Sequence, residues 1–163
     1  MKRILVTGNA GSGKSTLAEY ISKSLTLPLH GLDCVIWQPG WKKRPPDDRS
    51  TLIREIVEQE TWVIDGVSFD VQSHAEAIVF LDIPRRISYF RVMKRNWRYL
   101  FRSRPGLPAR CPEILMILPL CRIIWNFPKN IRPQILSQSS EHPRFFHIRN
   151  STDLAACLKA LHS

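Results

Sequence analysis

No two cysteines in this chain form a CxxC pair, and none stands with histidine at zinc-ligand spacing, so a zinc finger is excluded. The four present, Cys34, Cys111, Cys121 and Cys157, are scattered and are expected to be reduced and buried. Long apolar runs are missing too. The longest, Ile114 to Trp125, is interrupted by Pro119 and Arg122 and is too short to span a bilayer. The start, Met1-Lys2-Arg3-Ile4-Leu5-Val6, is basic, but its apolar run is too short for a signal peptide, which makes a cytoplasmic location the expectation. Acidic residues are scarce, 14 against 24 Lys and Arg, leaving a formal charge of +10. Such a surplus attracts anions, and nucleotides, nucleic acid and anionic lipid all qualify. Repeats and low-complexity tracts are absent as well. What remains is an ordinary folded composition, 44% hydrophobic and 23% charged, and 163 residues fit one domain, 1–163.

Apolar runs alternate with helical periodicities along this chain. Ile4-Leu5-Val6 reads as a strand buried on both faces, and Lys14 to about Leu25 carries Leu17, Ala18, Ile21 and Leu25 at helical spacing. A short second strand is expected at Pro28–Asp33, a helix at about Pro46–Gln59, and third and fourth strands at Trp62–Gly66 and Ile78–Asp82. Pro84 suits the first turn of a helix running to about Arg102, and the Pro- and Gly-rich residues 103–113 form a loop. Two helices follow at roughly 113–126 and 129–140, with Pro119 kinking or breaking the first. Phe145–Ile148 is a fifth strand, and Asn150 or Ser151 caps a last helix. Alternation of this kind predicts an α/β fold with a parallel sheet covered on both faces.

Gly8-Asn9-Ala10-Gly11-Ser12-Gly13-Lys14-Ser15, followed by Thr16, matches the phosphate-loop pattern G-x-x-x-x-G-K-[ST] at every fixed position. Its glycines let backbone N–H groups turn inward around phosphates, and the helix beginning near Lys14 adds the positive end of its dipole. Lys14 reaches the β- and γ-phosphates, and the Ser15 hydroxyl serves Mg²⁺. The strand before and the helix after supply the context this motif needs. No Asn/Thr-Lys-x-Asp and no Asp-x-x-Gly follows, which argues against a guanine-nucleotide switch.

Three aspartates end the predicted strands. Asp65, followed by Gly66, is the first candidate for the Mg²⁺ shell. Asp33 either assists Mg²⁺, accepts a substrate hydroxyl proton, or caps its own turn. Asp82, before Ile83-Pro84, is read as a helix cap. Arg91, Arg95, Arg98 and Arg102 recur at steps of four, three and four, which at about 100° per residue places them in one stripe beside a packing face. Together with Arg104 and Arg110 they suit a mobile lid that brings guanidiniums onto a transferring phosphoryl group. A solvated basic face and a nucleic-acid backbone contact are the competing readings.

Gly8 to Thr16, Leu32-Asp33 with Trp37-Gln38-Pro39-Gly40-Trp41, Trp62-Val63-Ile64-Asp65-Gly66, and Phe80 to Arg85 followed by Arg91 and Lys94-Arg95 resemble the adenylate-kinase-related "topology modulation protein" family of P-loop proteins. The resemblance covers most of residues 1–105. It implies a three-layer P-loop NTPase fold with a five-stranded parallel sheet of order 2-3-1-4-5. It also implies ATP and Mg²⁺ at the loop, an acceptor pocket near Asp33, Trp37 and Asp65-Gly66, and an arginine-bearing helical lid, about residues 98–128. One departure is that Val67-Ser68 stand where those relatives more often carry Asn-Tyr. Trp37 and Trp41 either stack on a ring or pack their loop. Residues Arg149 to Thr152 correspond to the relatives' adenine pocket.

The expected activity is transfer of the γ-phosphoryl group of ATP to an unknown small acceptor. Residues 8–16 with Arg91 hold the nucleotide, and Ser15 and Asp65 support Mg²⁺. Lys14, Asp33, Asp65, Arg95, Arg102 and Arg104 form the catalytic set. The alternative is a nucleotide-dependent regulator associated with DNA, although no recognition-helix motif favours nucleic acid.

Overall fold

The computed structural model describes residues 1–99, 101, 103, 107–139 and 142–162, the side chain of residue 98 excepted. Strand β1 (Arg3–Gly8) leads through the glycine loop into α1 (Lys14–Leu25). Then come β2 (Leu29–Gly31), α2 (Leu32–Ile36), a small hairpin of β3 (Trp37–Gln38) and β4 (Lys42–Lys43), and α3 (Pro46–Val57). Next are β5 (Trp62–Asp65), α4 (Phe69–Gln72), β6 (Ala77–Leu81) and α5 (Arg85–Tyr99). A 3-10 turn (Glu113–Met116), α6 (Ile117–Asn130), α7 (Arg132–Ser139), β7 (Phe145–Ile148) and α8 (Ser151–His162) complete the chain.

The main sheet is parallel throughout, in the order β2-β5-β1-β6-β7. Numbered without the hairpin strands, this is the expected 2-3-1-4-5. Why the strands are apolar on consecutive residues follows from their two faces. Ile4 and Val6 of β1 pack with Leu17, Ala18, Ile21, Cys157 and Leu161 of the flanking helices α1 and α8. Leu5 faces the other way, into a cluster with Leu32, Val35, Val57, Trp62 and Ile64. Side chains alternate across a strand, so a strand covered on both sides cannot afford polar alternation. Each such side chain taken out of water contributes about 1.5–3 kcal/mol.

A third cluster, Phe80, Phe127 and Ile135, fastens α6 and α7 to the sheet. Pro119 neither kinks nor breaks a helix, because α6 begins at Ile117 and Pro119 stands in its first turn, where a missing N–H costs nothing. The cysteines are also less uniform than expected. Cys111 and Cys157 are buried, but Cys121 is half-buried and Cys34 is exposed on α2. Burial pushes the Cys157 thiol up to about 12.

Candidate active site

The C-terminal ends of the parallel strands open into a cleft of about 780 Å³. In an α/β sheet this is where the chain reverses its winding and a crevice forms. The glycine loop forms the floor. Gly11 has φ +75°, and a Cβ there would stand 2.4 Å from the Ser88 carbonyl oxygen, so α5 presses directly on the loop. Asn9 anchors the loop from below: its amide nitrogen donates to the Ile124 carbonyl (3.1 Å), and its amide oxygen accepts from the Ala10 N–H (2.8 Å). Lys14 folds over the loop and donates to the Asn9 carbonyl (3.1 Å). Ser15 and Thr16, at the start of α1, are exposed to the cleft.

Asp65 ends β5 beside the loop, in register with Val6 of β1. Its Oδ1 is buried without a hydrogen-bond partner, a costly state for a carboxylate oxygen. The following residue, Gly66, has φ +156°, and a Cβ there would stand 2.7 Å from Leu32, so the chain must pass α2 at close range. Asp33 is exposed in the first turn of α2 and lines the same cleft.

From α5, Arg91 donates through Nη1 to the Ser12 carbonyl (3.0 Å), placing its guanidinium at the loop. Arg95 lies one turn further on, with Nη2 3.9 Å from Glu113 Oε2. The structure therefore brings Gly8, Ala10, Gly11, Gly13, Lys14, Ser15, Thr16, Asp33, Asp65, Arg91 and Arg95 around one cavity, with the side chains of Asn9 and Ser12 buried behind the loop. Arg102 and Arg104, expected to act from the lid, and the side chain of Arg98 lie outside the described residues. Residues Arg149 to Thr152 do not line the cleft. Arg149 instead donates to Asp153, whose own N–H takes the Asn150 cap (2.9 Å).

Glu113 was not singled out by the sequence reading. It is 1% exposed, and when the Asn96 amide is oriented with its nitrogen toward it, Asn96 donates to Glu113 Oε2 (3.0 Å) and to the Val92 carbonyl (3.2 Å). A signal existed, because Glu113 is the single acidic residue between Ile83 and Ser140. The hairpin was missed as well. Trp41 donates through Nε1 to the Pro112 carbonyl (2.9 Å), and its N–H points to Cys111 Sγ (3.4 Å), so β3–β4 is clasped to the segment leading into Glu113. Trp37 meets Trp41 edge to face at 5.2 Å, which is loop packing, while both rings also line the cleft.

Asp82 is not a helix cap. Its carboxylate accepts three hydrogen bonds from Arg132 of α7 and lies 2.8 Å from His147 Nε2 of β7. Burial alone would raise its pKa, but the bonds and charges of Arg132 and His147 outweigh that and hold it below the usual carboxylate range.

No family model matches the chain. It is 26% identical over 176 residues, 95% of this chain and 92% of the other, to a Sulfurisphaera tokodaii protein named, provisionally, as an adenylate kinase. Among solved structures it is similar to shikimate kinase from Bacteroides thetaiotaomicron (TM-score 0.57, 17% identity, 99% of this chain and 96% of that one). It is also similar to deoxyadenosine kinase from M. mycoides with bound dATP (TM-score 0.56, 14% identity, 98% and 99%). The chain has the P-loop NTPase fold of the small kinases.

Proposed function

We propose that this protein is an ATP-dependent phosphotransferase that moves the γ-phosphoryl group of ATP to a small acceptor bearing a hydroxyl or phosphate. The observation that carries the reading is the convergence, on one cleft, of the phosphate-loop motif, Asp65 at the end of β5, Asp33 in the first turn of α2, and the guanidiniums of Arg91 and Arg95 from α5. Both the blocks of sequence that resemble the topology modulation proteins and the kinases among the similar structures support it.

Roles follow from position. The loop amides and Lys14 hold the polyphosphate, and Arg91, already on the Ser12 carbonyl, adds a cation at its rim. Mg²⁺ fits the donor set, because Ser15 is exposed in the cleft and the buried Asp65 Oδ1 has no protein partner. When bound, the ion neutralises phosphate charge and orients the transferring group. Asp33 orients or deprotonates the acceptor hydroxyl, and Arg95 offsets charge developing on the phosphoryl oxygens, with Arg102 and Arg104 assigned to the same task from the lid. Water exclusion falls to the apolar side chains of Met116, Leu120 and Phe127, which line the cleft. A cytoplasmic site, where ATP is plentiful, suits such a reaction.

Screening nucleoside monophosphates and small hydroxylated metabolites for acceptor-dependent ADP release tests the reading. At least one acceptor is expected to raise ADP release in the wild type and not in Lys14→Ala. ADP release that no acceptor raises, or that Lys14→Ala leaves unchanged, contradicts it.

A further inference from the structure

The protein's positive charge is not spread over its surface. Between Ile83 and Ser140 the sequence carries twelve Arg or Lys against Glu113 alone, and Glu113 is buried. That surplus of eleven exceeds the whole chain's +10, so the remaining residues are close to neutral. The same segment exposes the largest apolar side chains of the molecule.

Two helices organise this face. On α5, Arg86, Phe90 and Trp97 share one side by helical spacing, opposite the buried Ser88 and Val92. On α6, Leu118, Arg122, Trp125 and Lys129 share a side, away from the buried Ile124 and Phe127. Phe90 is 69% exposed, Trp97 80%, Leu118 78% and Trp125 60%. The helices lie against each other, with the Arg85 guanidinium 4.1 Å from the Trp125 ring centroid, so the two sides adjoin. Both present basic residues interleaved with bulky apolar ones, and the described part of neither offers an exposed carboxylate.

We propose that the outer face of α5 and α6 is a docking surface for an anionic lipid bilayer. Basic side chains complement lipid phosphates, and Trp and Phe settle at the headgroup level while Leu118 and its neighbour Leu115 reach the acyl boundary. The aliphatic residues decide against nucleic acid: a duplex or single strand takes the arginines and stacks on the aromatics, but leaves leucines in water. The contact is peripheral. Among the described residues no single helix is long and apolar enough to cross a membrane. The bent pair Glu113–Asn130 and Arg132–Ser139 is apolar enough by composition, yet it commits Ile124, Phe127 and Ile135 to the core. A surface-bound orientation leaves the strand-end cleft, lined by other side chains of α5 and α6, open to soluble nucleotide.

Co-sedimentation of the full chain with vesicles tests this. Binding is expected to phosphatidylcholine vesicles containing phosphatidylglycerol and not to phosphatidylcholine alone, and to weaken as salt rises. Trp97→Ser with Leu118→Ser, and separately Arg86→Glu with Arg122→Glu, are each expected to lower vesicle partition about tenfold or more. None of these residues lines the cleft, so Mg-ATP binding and the thermal midpoint are the control that both variants remain folded. Sedimentation with neither vesicle, or partition unchanged in both folded variants, overturns the proposal. Binding to duplex DNA with no binding to vesicles assigns the face to nucleic acid instead. A dimer in solution that the Trp97→Ser, Leu118→Ser variant dissociates assigns it to a second copy of the chain.

Discussion

Arg132 grips Asp82 from the side, its Nε within 2.9 and 3.0 Å of the two carboxylate oxygens and its Nη2 2.8 Å from Oδ2. The pair joins α7 to the residue just past β6, and His147 closes on the same carboxylate from β7. A planar guanidinium matched to a carboxylate in this way is both stronger and more directional than an amine would be. It holds α7 to the sheet, and α7 packs against α6, whose side chains line the cleft.

Arg132→Ala is expected to lower stability by about 1–3 kcal/mol, the range for a hydrogen bond to a charged group, tempered because Arg132 is 39% exposed. The sign of the pH dependence follows from the direction of the Asp82 shift. A carboxyl whose folded pKa is depressed stabilises the fold above its unfolded value of about 3.9, and that contribution is lost as pH falls through the lower, folded value. Thermal midpoints measured from neutral pH downward should fall in the acid range, and Asp82→Asn should flatten that part of the curve. Identical acid limbs in the two proteins would show that Asp82 adds no such term.

At Gly11 the backbone allows no Cβ. Gly11→Ala must either distort φ from +75° or push α5 away from Ser88, since the new carbon meets a carbonyl oxygen at 2.4 Å. A stability loss of about 1–3 kcal/mol is expected, with weaker nucleotide binding because the loop amides turn out of place. Calorimetry of both quantities checks it. A variant with wild-type melting and wild-type Mg-ATP affinity contradicts the close packing described.

Why some of this was legible in the chain and some was not has a physical cause. Strands such as Ile4-Leu5-Val6 and the loop from Gly8 to Ser15 are specified by neighbours in sequence, through two-sided burial and backbone permissiveness. The capping role of Asn150 is equally local, one side-chain oxygen to an N–H three residues on. Asp82 also looks local, standing before Pro84, but its partners are 50 and 65 residues away, and no periodicity announces them. The β3–β4 hairpin is too short to show alternation, and it is held by Pro112 and Cys111, some 70 residues distant. The place of Pro119 is not legible locally, because a shift of register by a residue or two decides whether proline starts a helix or breaks it.

Glu113 should matter for chemistry as well as for folding. Glu113→Gln keeps the volume and the bond from Asn96 but removes the charge 3.9 Å from Arg95. We expect a loss of about 1–3 kcal/mol in stability and a larger fall in kcat than rise in KM for ATP, because Arg95 is then less firmly aimed at the cleft. Equal kinetics in a destabilised variant would make Glu113 a packing residue only.

The account depends most on the loop from Gly8 to Ser15 gripping polyphosphate, and isothermal calorimetry with Mg-ATP on the wild type and Lys14→Ala reads this directly. The wild type should bind one Mg-ATP with measurable heat, and Lys14→Ala, with an unchanged circular dichroism spectrum, should bind about 100-fold more weakly or not at all. No heat from the wild type, or equal affinity in the two proteins, would contradict it.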